Sequence, residues 1–346
     1  MSDPTRLGIV GAGAITQSYI RALDESEIAS IVGIADPRME ATEASAEIAG
    51  CRAFENYEVM IDSSGCDAVV VCTPPDSHVE IGLSCIDRGL PVLIEKPLAT
   101  SVGDARALKA RADEAGVLVT MASKFRYVED MIRAKSIINS GMLGEIFSIE
   151  NAFTARVDMT HRWNSDRSLS GGGVIIDNGT HSVDIVRYLL GPIARVMVVE
   201  GKRCQPIEVE DNVTIFAQTD HGVGARIDLS WSIDKNLSDF VTVYGSSGCL
   251  NIGWAESKYR LINNGEWVIF GSGYEKLSAF RGKVENFCNV LRGADRPLIT
   301  SDDAVASVEV IAAVYDSLRL DRWVDVVSAT PEIEAAEITS LRVATS

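Results

Sequence analysis

The chain is 346 residues long, which is more than one ordinary hydrophobic core accommodates and predicts two domains of unequal character. Apolar residues make up 46% and charged residues 23% of the composition, and these proportions exclude an intrinsically disordered chain. The net charge of −17 repels nucleic acid and anionic membrane surfaces, so we expect neither partner and favour a small-molecule ligand.

The cysteines and the apolar runs bear on the compartment and on metal binding. Seven cysteines are scattered without a C-x-x-C pair, which argues against a zinc knuckle or a disulfide framework and predicts reduced thiols. No apolar run approaches the roughly 18 to 20 residues of a membrane span. We therefore expect a cytoplasmic protein without a membrane segment.

The first third of the chain, residues 6–122, alternates short β-branched runs such as "DAVVVCTP" and "GVLVTMA" with amphipathic stretches. The amphipathic stretches predict helices over residues 15–23, 39–48, 77–88 and 101–115. Continuous apolar strands joined by helices are typical of a parallel sheet with helices on both faces. The sequence therefore predicts an N-terminal, doubly wound α/β domain over residues 1–123.

The pattern of predicted secondary structure changes after a further predicted helix over residues 127–139. Strand-like runs now follow one another, separated by tight turns at residues 220–222, 246–248 and 263–265. These turns carry Asp, Asn, Ser and Gly, the residue types that hairpin turns favour. The pattern predicts an open, mostly antiparallel sheet, one face of which is free to pack on a partner subunit.

Two helical patterns close this second region, over residues 283–291 and 303–318, with Ser301 and Asp302 as candidate N-caps of the latter. We predict a C-terminal α+β domain over residues 124–328. The remaining tail, residues 329–346, has weak periodicity and no assigned element.

A glycine-rich turn follows the first predicted strand in "GIVGAGAIT". Gly11 permits a tight turn, and Gly13 lets backbone amides at Ala14 and Ile15 approach a pyrophosphate at the start of the helix. Thr16 stands at the third position, where Gly or Ala is usual. A plain glycine turn is the alternative interpretation of this motif taken alone.

An acidic residue supports the nucleotide interpretation. Asp36 ends the second predicted strand 23 residues after Gly13, the placement of an acid that binds a ribose 2′-hydroxyl. Its charge repels a 2′-phosphate, so the sequence favours NAD over NADP. Arg38 softens this preference if it pairs with a phosphate, and a solvated loop arginine is the alternative.

Two further motifs end parallel strands, where α/β sheets bind their ligands. In "CTPPDSH", the turn that contains Thr73, Pro74 and His78 is predicted to lie along the cofactor. In "EKP", Glu95 and Lys96 emerge at the cofactor edge, where desolvation and neighbouring charges suit a lysine to proton transfer or carbonyl polarisation. Pro97 is a candidate for a cis peptide bond.

The stretch "IDNGTHSVDIV", after three consecutive glycines, places Asp177, His181 and Asp184 at helical spacing. It fits a helix cap with a buried histidine, a metal site or an acid–base pair. A metal is disfavoured because no cysteine or second histidine lies nearby in sequence to complete four ligands. We expect Asp177 to cap the helix and face the cleft, and Asp184 to be structural.

Taken in order, "GIVGAGAIT", Asp36, "CTPPDSH", "EKP", "KFRY", "SGMLGEI" and "GGGVIIDNGTHSVDIVRYLLG" resemble the glucose–fructose oxidoreductase and inositol dehydrogenase (Gfo/Idh/MocA) family. The resemblance extends from residue 6 to about 320. It implies a Rossmann domain, a second domain with an open sheet, a nicotinamide cofactor between them, and dimers or tetramers built through that sheet. It also matches Lys96 to the family lysine, and Asp177 and His181 to the family acid and histidine.

The reaction that the resemblance implies is oxidation or reduction of a secondary alcohol carbon in a sugar, cyclitol or nucleotide-linked sugar. A positioned base takes the hydroxyl proton while hydride leaves carbon. We propose His181 as general base, Asp177 as its partner or a ligand of a substrate hydroxyl, and Lys96 as the group that polarises oxygen and shuttles the proton. The sequence leaves open whether Lys96 or His181 takes the proton first.

Other polar residues flank the expected cleft by position only. Substrate contacts are predicted for Lys124, Arg126, Arg162, Asn164 and Asn178, and a cofactor contact for Trp163.

Two other functions remain open. One keeps the fold as an NADPH-dependent ketosugar reductase or nucleotide-sugar 3-dehydrogenase, or as an enzyme with tightly held NAD in an elimination or hydrolytic cycle. The other is a non-catalytic nucleotide-binding regulator, against which the presence of Lys96, Asp177 and His181 argues.

Overall fold

The computed structural model of the protein describes residues 3–24, 26–263 and 265–327. The predicted C-terminal tail at 329–346 lies outside these residues. Two sheets and the helices around them make up the described chain. None of the helices in these ranges combines the length and the apolar character needed to cross a membrane.

The N-terminal region builds a parallel sheet. Its strands are β1 (Thr5–Val10), β2 (Ala29–Ala35), β3 (Arg52–Phe54), β4 (Ala68–Val71), β5 (Val92–Ile94) and β6 (Val119–Met121). Its helices are α1 (Ala14–Leu23), α2 (Met39–Ala49), α3 (Tyr57–Ser64), α4 (His78–Asp87) and α5 (Val102–Ala115). The strand order is β3-β2-β1-β4-β5-β6 with all neighbours parallel, which confirms the doubly wound fold.

The four predicted helices of this domain form, with ends within one residue of the prediction. Helix α3 is missing from the prediction. Only Met60 and Ile61 of its residues are buried, so the sequence shows no extended apolar stripe there. Its start is fixed locally instead, because Asn56 Oδ1 accepts the amide of Glu58 at 2.7 Å.

The second region contains helices α6 (Glu129–Asn139), α7 (Arg167–Ser170) and α8 (Thr180–Leu190). Its strands are β7 (Ile146–Thr154), β8 (Ile193–Glu200), β9 (Asn212–Thr219), β10 (Gly224–Ser230), β11 (Asp239–Gly245), β12 (Gly248–Gly253), β13 (Ser257–Leu261), β14 (Trp267–Gly271) and β15 (Val324–Asp325). They pair in the order β14-β13-β12-β11-β7-β10-β9-β8-β15. Strands β7 and β10 are parallel and the other neighbours antiparallel, so the predicted, mostly antiparallel sheet is confirmed.

Two helices complete the described chain, α9 (Lys276–Leu291) and α10 (Ser301–Leu320). Helix α9 begins seven residues before its predicted start, where the Glu275 carboxylate caps the amides of the first turn. The predicted caps of α10 are wrong. Thr300 is the N-cap, and it forms a capping box with Asp303 because its Oγ1 accepts the Asp303 amide at 3.1 Å.

Helices α9 and α10 return to the parallel sheet and link the two regions. Phe280 and Phe287 of α9 are buried against Leu7 and Tyr19, and the rings of Tyr19 and Phe280 meet edge to face at 5.1 Å. Each such buried ring contributes roughly 1.5 to 3 kcal/mol by leaving water. The first turns of α10 join the core on the opposite face of the sheet, through residues such as Val305. These contacts hold the second region against the carboxyl edge of the parallel sheet.

The outer face of the mixed sheet carries apolar side chains in solvent. Val199, Phe216 and Tyr244 are 50%, 40% and 40% exposed. The residues next to them in each strand point inward, into the hydrophobic core of the second region.

Candidate active site

The glycine-rich turn has the geometry of a phosphate cradle. Gly11 has a φ of 103°, and a Cβ there would lie 2.7 Å from the carbonyl oxygen of Cys72, so only glycine fits. Around Gly13 the space is open, since a Cβ would meet no protein atom within 4 Å. Helix α1 starts immediately afterwards, with Ala14 exposed and Ile15 half-buried, and directs its free amides into this space.

Thr16 compensates for the missing third glycine. Its side chain is fully buried, and its Oγ1 donates a hydrogen bond to the carbonyl oxygen of Gly11 at 2.6 Å. The hydroxyl therefore ties the helix to the turn instead of disturbing it.

Asp36 is held at the end of β2. Its Oδ2 accepts the amide of Ala12 at 2.8 Å, and Arg38 grips both carboxylate oxygens, with Nε at 2.9 Å and Nη2 at 2.8 Å. Burial raises the pKa of Asp36, but the hydrogen bonds from Arg38 and Ala12 outweigh it and lower the pKa to about 2. Asp36 is therefore ionised, and Arg38 is engaged by it.

The structure contradicts the prediction that His78 contacts the cofactor. The ring is fully buried, with Nδ1 at 2.8 Å from the carbonyl oxygen of Pro97 and Nε2 at 2.9 Å from that of Thr73. The imidazole thus ties the "CTPP" turn to the "EKP" loop and leaves Thr73 and Pro74 half-buried at the edge.

Glu95 also differs from its predicted role, because its carboxylate is turned into the protein. Oε1 accepts from the hydroxyl of Tyr19 and from Nζ of Lys283, both at 2.7 Å. The Lys283 side chain is 0% exposed and lies over the Phe280 ring at 3.7 Å. Sequence reasoning missed Lys283, although a lysine between Phe280 and Phe287 on the apolar stripe of α9 was a readable signal.

Lys96 and Asp177 meet across the two regions. Lys96 Nζ donates to Asp177 Oδ1 at 2.5 Å and to the Asp177 backbone oxygen at 3.0 Å. The two side chains are 17% and 26% exposed, so the pair is reachable from the cleft. The Lys96–Pro97 bond, which the sequence marked only as a candidate, is cis.

The residues before Asp177 explain how it reaches Lys96. A Cβ on Gly173 would lie 2.1 Å from the carbonyl oxygen of Glu210, so the chain passes closer to its neighbour than any other residue allows. A π-helical turn, Ile175–Gly179, then carries Asp177 and continues into α8. The predicted capping role of Asp177 is wrong, because the side chain turns to Lys96 and no side chain caps α8.

His181 lies in the first turn of α8 and is 8% exposed. Its ring meets Phe125 edge to face at 5.1 Å. Burial lowers the pKa of His181 well below its usual value, and the charges of Lys96, Lys124 and Lys283 lower it further. The imidazole is therefore neutral at neutral pH.

The predicted contact between Asp177 and His181 is not formed. Within the described residues no hydrogen bond joins them, and Nδ1 of His181 is buried without a partner. The Asp177 carboxylate is drawn instead to the nearest cation, Lys96.

The structure also contradicts the prediction that Arg126 binds substrate. Its guanidinium donates from Nη2 to Asp184 Oδ1 at 2.6 Å, and the two side chains are 4% and 0% exposed. Ser123 Oγ adds a hydrogen bond to Asp184 Oδ2 at 2.6 Å. Asp184 is structural, as expected. The carboxylates of Asp177 and Asp184 pair with different cations, so the two residues do not form a metal triad with His181.

The remaining candidates differ in placement. Trp163 and Asn164 line a narrow cleft together with Lys96 and Asp177, and their contacts with cofactor and substrate stay predictions. Arg162 is exposed on the same loop, and Asn178 is half-buried beside Asp177.

Lys124 follows β6 and is half-buried. Its Nζ lies 5.1 Å from the ring centre of Phe125 and 5.4 Å from that of Tyr274. Phe125 also packs against His181, so Lys124 borders the same cleft.

Comparisons with known proteins agree with this architecture. Residues 5–123 match the model of an oxidoreductase family with an NAD-binding Rossmann fold, and residues 131–251 match the Gfo/Idh/MocA C-terminal domain. The rhizopine catabolism protein MocA of Rhizobium meliloti is 28% identical over 320 residues, covering 91% of this chain and 96% of that protein. Glucose-6-phosphate 3-dehydrogenase of Bacillus subtilis is 31% identical over 234 residues, 64% of this chain and 66% of that protein.

Among solved structures, the WlbA dehydrogenase of Bordetella pertussis in complex with NADH and UDP-GlcNAcA superposes with a TM-score of 0.83. It is 23% identical, and the match covers 95% of this chain and 99% of that one. The match supports the fold. The cradle at Gly13 and the ionised Asp36 fit the nicotinamide dinucleotide that the family model names. The chain is thus an NAD(P)-dependent oxidoreductase that belongs to the Gfo/Idh/MocA family.

Proposed function

We propose that the protein is an NAD-dependent dehydrogenase that oxidises a secondary alcohol of a sugar or cyclitol. The observation that carries this proposal is the contact of Lys96 with Asp177, one helical turn before His181, at the carboxyl edge of the parallel sheet. A charged donor and a neutral base next to a dinucleotide cradle suit removal of a proton from an alcohol.

The cofactor is assigned to the glycine-rich turn and its neighbours. Amides at Gly13, Ala14 and Ile15 suit the pyrophosphate, and the Asp36 carboxylate suits the two ribose hydroxyls of NAD. When bound, the nicotinamide supplies the hydride acceptor. Asp36 is ionised and would repel a 2′-phosphate, which favours NAD over NADP.

The proton is assigned to His181. Its lowered pKa leaves the imidazole neutral, so it can accept the hydroxyl proton as the carbon loses hydride and becomes a ketone. Lys96 stabilises the negative charge that develops on oxygen, since a part-buried ammonium interacts more strongly than one in bulk water. Asp177 holds Lys96 in place through two hydrogen bonds.

The substrate class rests on the relatives. The Bacillus subtilis relative is named for a hexose phosphate, and further relatives are named scyllo-inositol 2-dehydrogenase and D-xylose 1-dehydrogenase. The substrates in these names are all polyols, and each has a secondary carbinol or hemiacetal carbon that loses hydride.

A substrate screen tests the proposal. Free sugars, cyclitols and nucleotide-linked sugars are incubated with NAD or NADP, and NAD(P)H formation is followed by absorbance. We expect turnover with NAD, and we expect Lys96→Met to lower it by about 10²- to 10³-fold. Lys109→Met is a matched control, because Lys109 also pairs with carboxylates, Asp113 of α5 at 2.6 Å and Asp302 of α10 at 3.3 Å. A chain that binds NAD yet turns over none of these substrates would instead support the regulatory alternative.

We also propose a homodimer or homotetramer that packs through the open sheet face, in the cytoplasm. The exposed Val199, Phe216 and Tyr244 support the interface. The seven unpaired cysteines fit a reducing compartment. Light scattering of the wild type and of Phe216→Asp tests the assembly, which we expect the charge to weaken.

A further inference from the structure

One cation of the cleft lacks a counter-charge. Lys96 pairs with Asp177, Lys283 with Glu95, and Arg126 with Asp184. Among the described residues no carboxylate lies within 4 Å of Lys124 Nζ, and no hydrogen bond is formed by that nitrogen. In a protein of net charge −17, a half-buried lysine without a carboxylate stands out.

Topology places Lys124 beside the reacting groups. Ile94 of β5 pairs with Met121 of β6, so Lys96 and Lys124 leave the same edge of the sheet on adjacent strands. The Lys124 ammonium and the His181 ring both contact the ring of Phe125, at 5.1 Å from its centre in each case. A ligand that reaches His181 therefore passes close to the Lys124 ammonium.

The cofactor phosphates do not account for this charge. The pyrophosphate cradle follows β1, and β6 is three positions away in the sheet order β1-β4-β5-β6. Neighbouring strands are about 4.8 Å apart, so the two sites are separated by roughly 14 Å. Glu95, whose charge acts on Lys124, is paired with Lys283, which leaves Lys124 available to an anion from another molecule in the cleft.

Building on the proposed function, we infer that the substrate is an anionic sugar derivative, a carboxylate or a phosphate ester, whose negative group binds Lys124. The rings of Phe125 and Tyr274 stabilise the ammonium only partly, and an oxyanion completes its coordination. Lys124 then determines specificity for the charged substrate. The nicotinamide, His181 and Lys96 keep the roles in hydride and proton transfer that are proposed above.

The charges around Lys124 predict how binding responds to pH. Burial and the charges of Lys96 and Lys283 lower the pKa of Lys124 to about 8. The ammonium is therefore lost as the pH rises through 8, and anion affinity falls with it. An oxyanion raises this pKa, so binding at pH 8 takes up about half a proton. The charged or titratable groups packed around Lys124 are Glu95 and Lys96 after β5, His181 on α8, Tyr274 before α9, and Lys276 and Lys283 on α9.

The test compares anionic and neutral sugars on the NAD-loaded full-length protein by calorimetry. The probes are D-glucuronate, D-glucose 6-phosphate and D-glucose. We expect at least one anion to bind roughly 10- to 100-fold more tightly than glucose, the effect of one charge-assisted hydrogen bond. Lys124→Met should abolish this preference, and Lys124→Arg should retain most of it. The preference for glucuronate or for the phosphate distinguishes a sugar acid from a sugar phosphate.

Lys276→Met is the matched control, because it removes an exposed charge that acts on Lys124 and leaves the Lys124 side chain itself in place. We expect it to keep the preference for the anion. Equal binding of glucose, failure of both anions to bind, or a preference that survives Lys124→Met overturns the inference. If neutral sugars are turned over and anions are not preferred, the inference about the anion fails and the proposed dehydrogenase function stands. If anions bind in a Lys124-dependent way but no sugar is turned over, the proposed dehydrogenase function alone fails.

Discussion

Replacement of Lys96 by methionine is expected to remove most turnover and to leave the fold and NAD binding in place. Methionine has similar length but lacks the ammonium that donates to Asp177 Oδ1 at 2.5 Å. Because the paired side chains are 17% and 26% exposed, solvent screens their attraction, and stability falls by only about 1 kcal/mol. Loss of the ammonium that stabilises the charge developing on oxygen costs about 10²- to 10³-fold in kcat, or roughly 3 to 4 kcal/mol of barrier.

The pH profile of Lys96→Met provides a second readout. His181 accepts a proton only while it is neutral, so kcat/KM declines as the pH falls through the lowered pKa of the imidazole. Burial is the main cause of that lowered pKa, and the charge of Lys96 adds to it. Without Lys96 the pKa of His181 rises, and the acid limb of the profile moves to higher pH.

The assay follows NADH formation over a range of pH, alongside NAD binding by calorimetry and a thermal melt. Lys109→Met, which breaks the pairs of Lys109 with Asp113 and Asp302, should match the wild type in turnover and in NAD binding. Wild-type turnover in Lys96→Met would refute the role of Lys96. An acid limb that stays in place would refute its electrostatic link to His181.

Three further predictions concern the cofactor turn and the buried pair of Arg126 and Asp184. Asp36→Ser should release Arg38 from its two hydrogen bonds and shift the preference from NAD toward NADP, seen in the ratio of the two KM values. Gly13→Ala should weaken NAD binding at least tenfold in calorimetry without lowering Tm, because the new methyl group meets only the cofactor space. Arg126→Met should cost about 3 to 5 kcal/mol in urea unfolding, since it strands a buried carboxylate; a loss under 1 kcal/mol would contradict the buried pair.

The sequence by itself determined the features that are written in local patterns. Alternating apolar runs and amphipathic stretches predicted the parallel sheet and the ends of its four longer helices, because period and glycine turns are readable within a few residues. The dinucleotide turn and Asp36 followed from spacing after a strand. Helix α3 escaped because only Met60 and Ile61 of it are buried.

Only the tertiary structure decided which charges meet. Spacing on one helix suggested that Asp177 orients His181, but the carboxylate pairs with Lys96, which lies 81 residues away in the chain. Likewise Arg126 is engaged by Asp184. A cation takes its partner from whichever carboxylate the fold brings within a few ångströms, and sequence distance carries no information about that. For the same reason Lys124 could be recognised as unpaired only after every neighbouring charge had been placed.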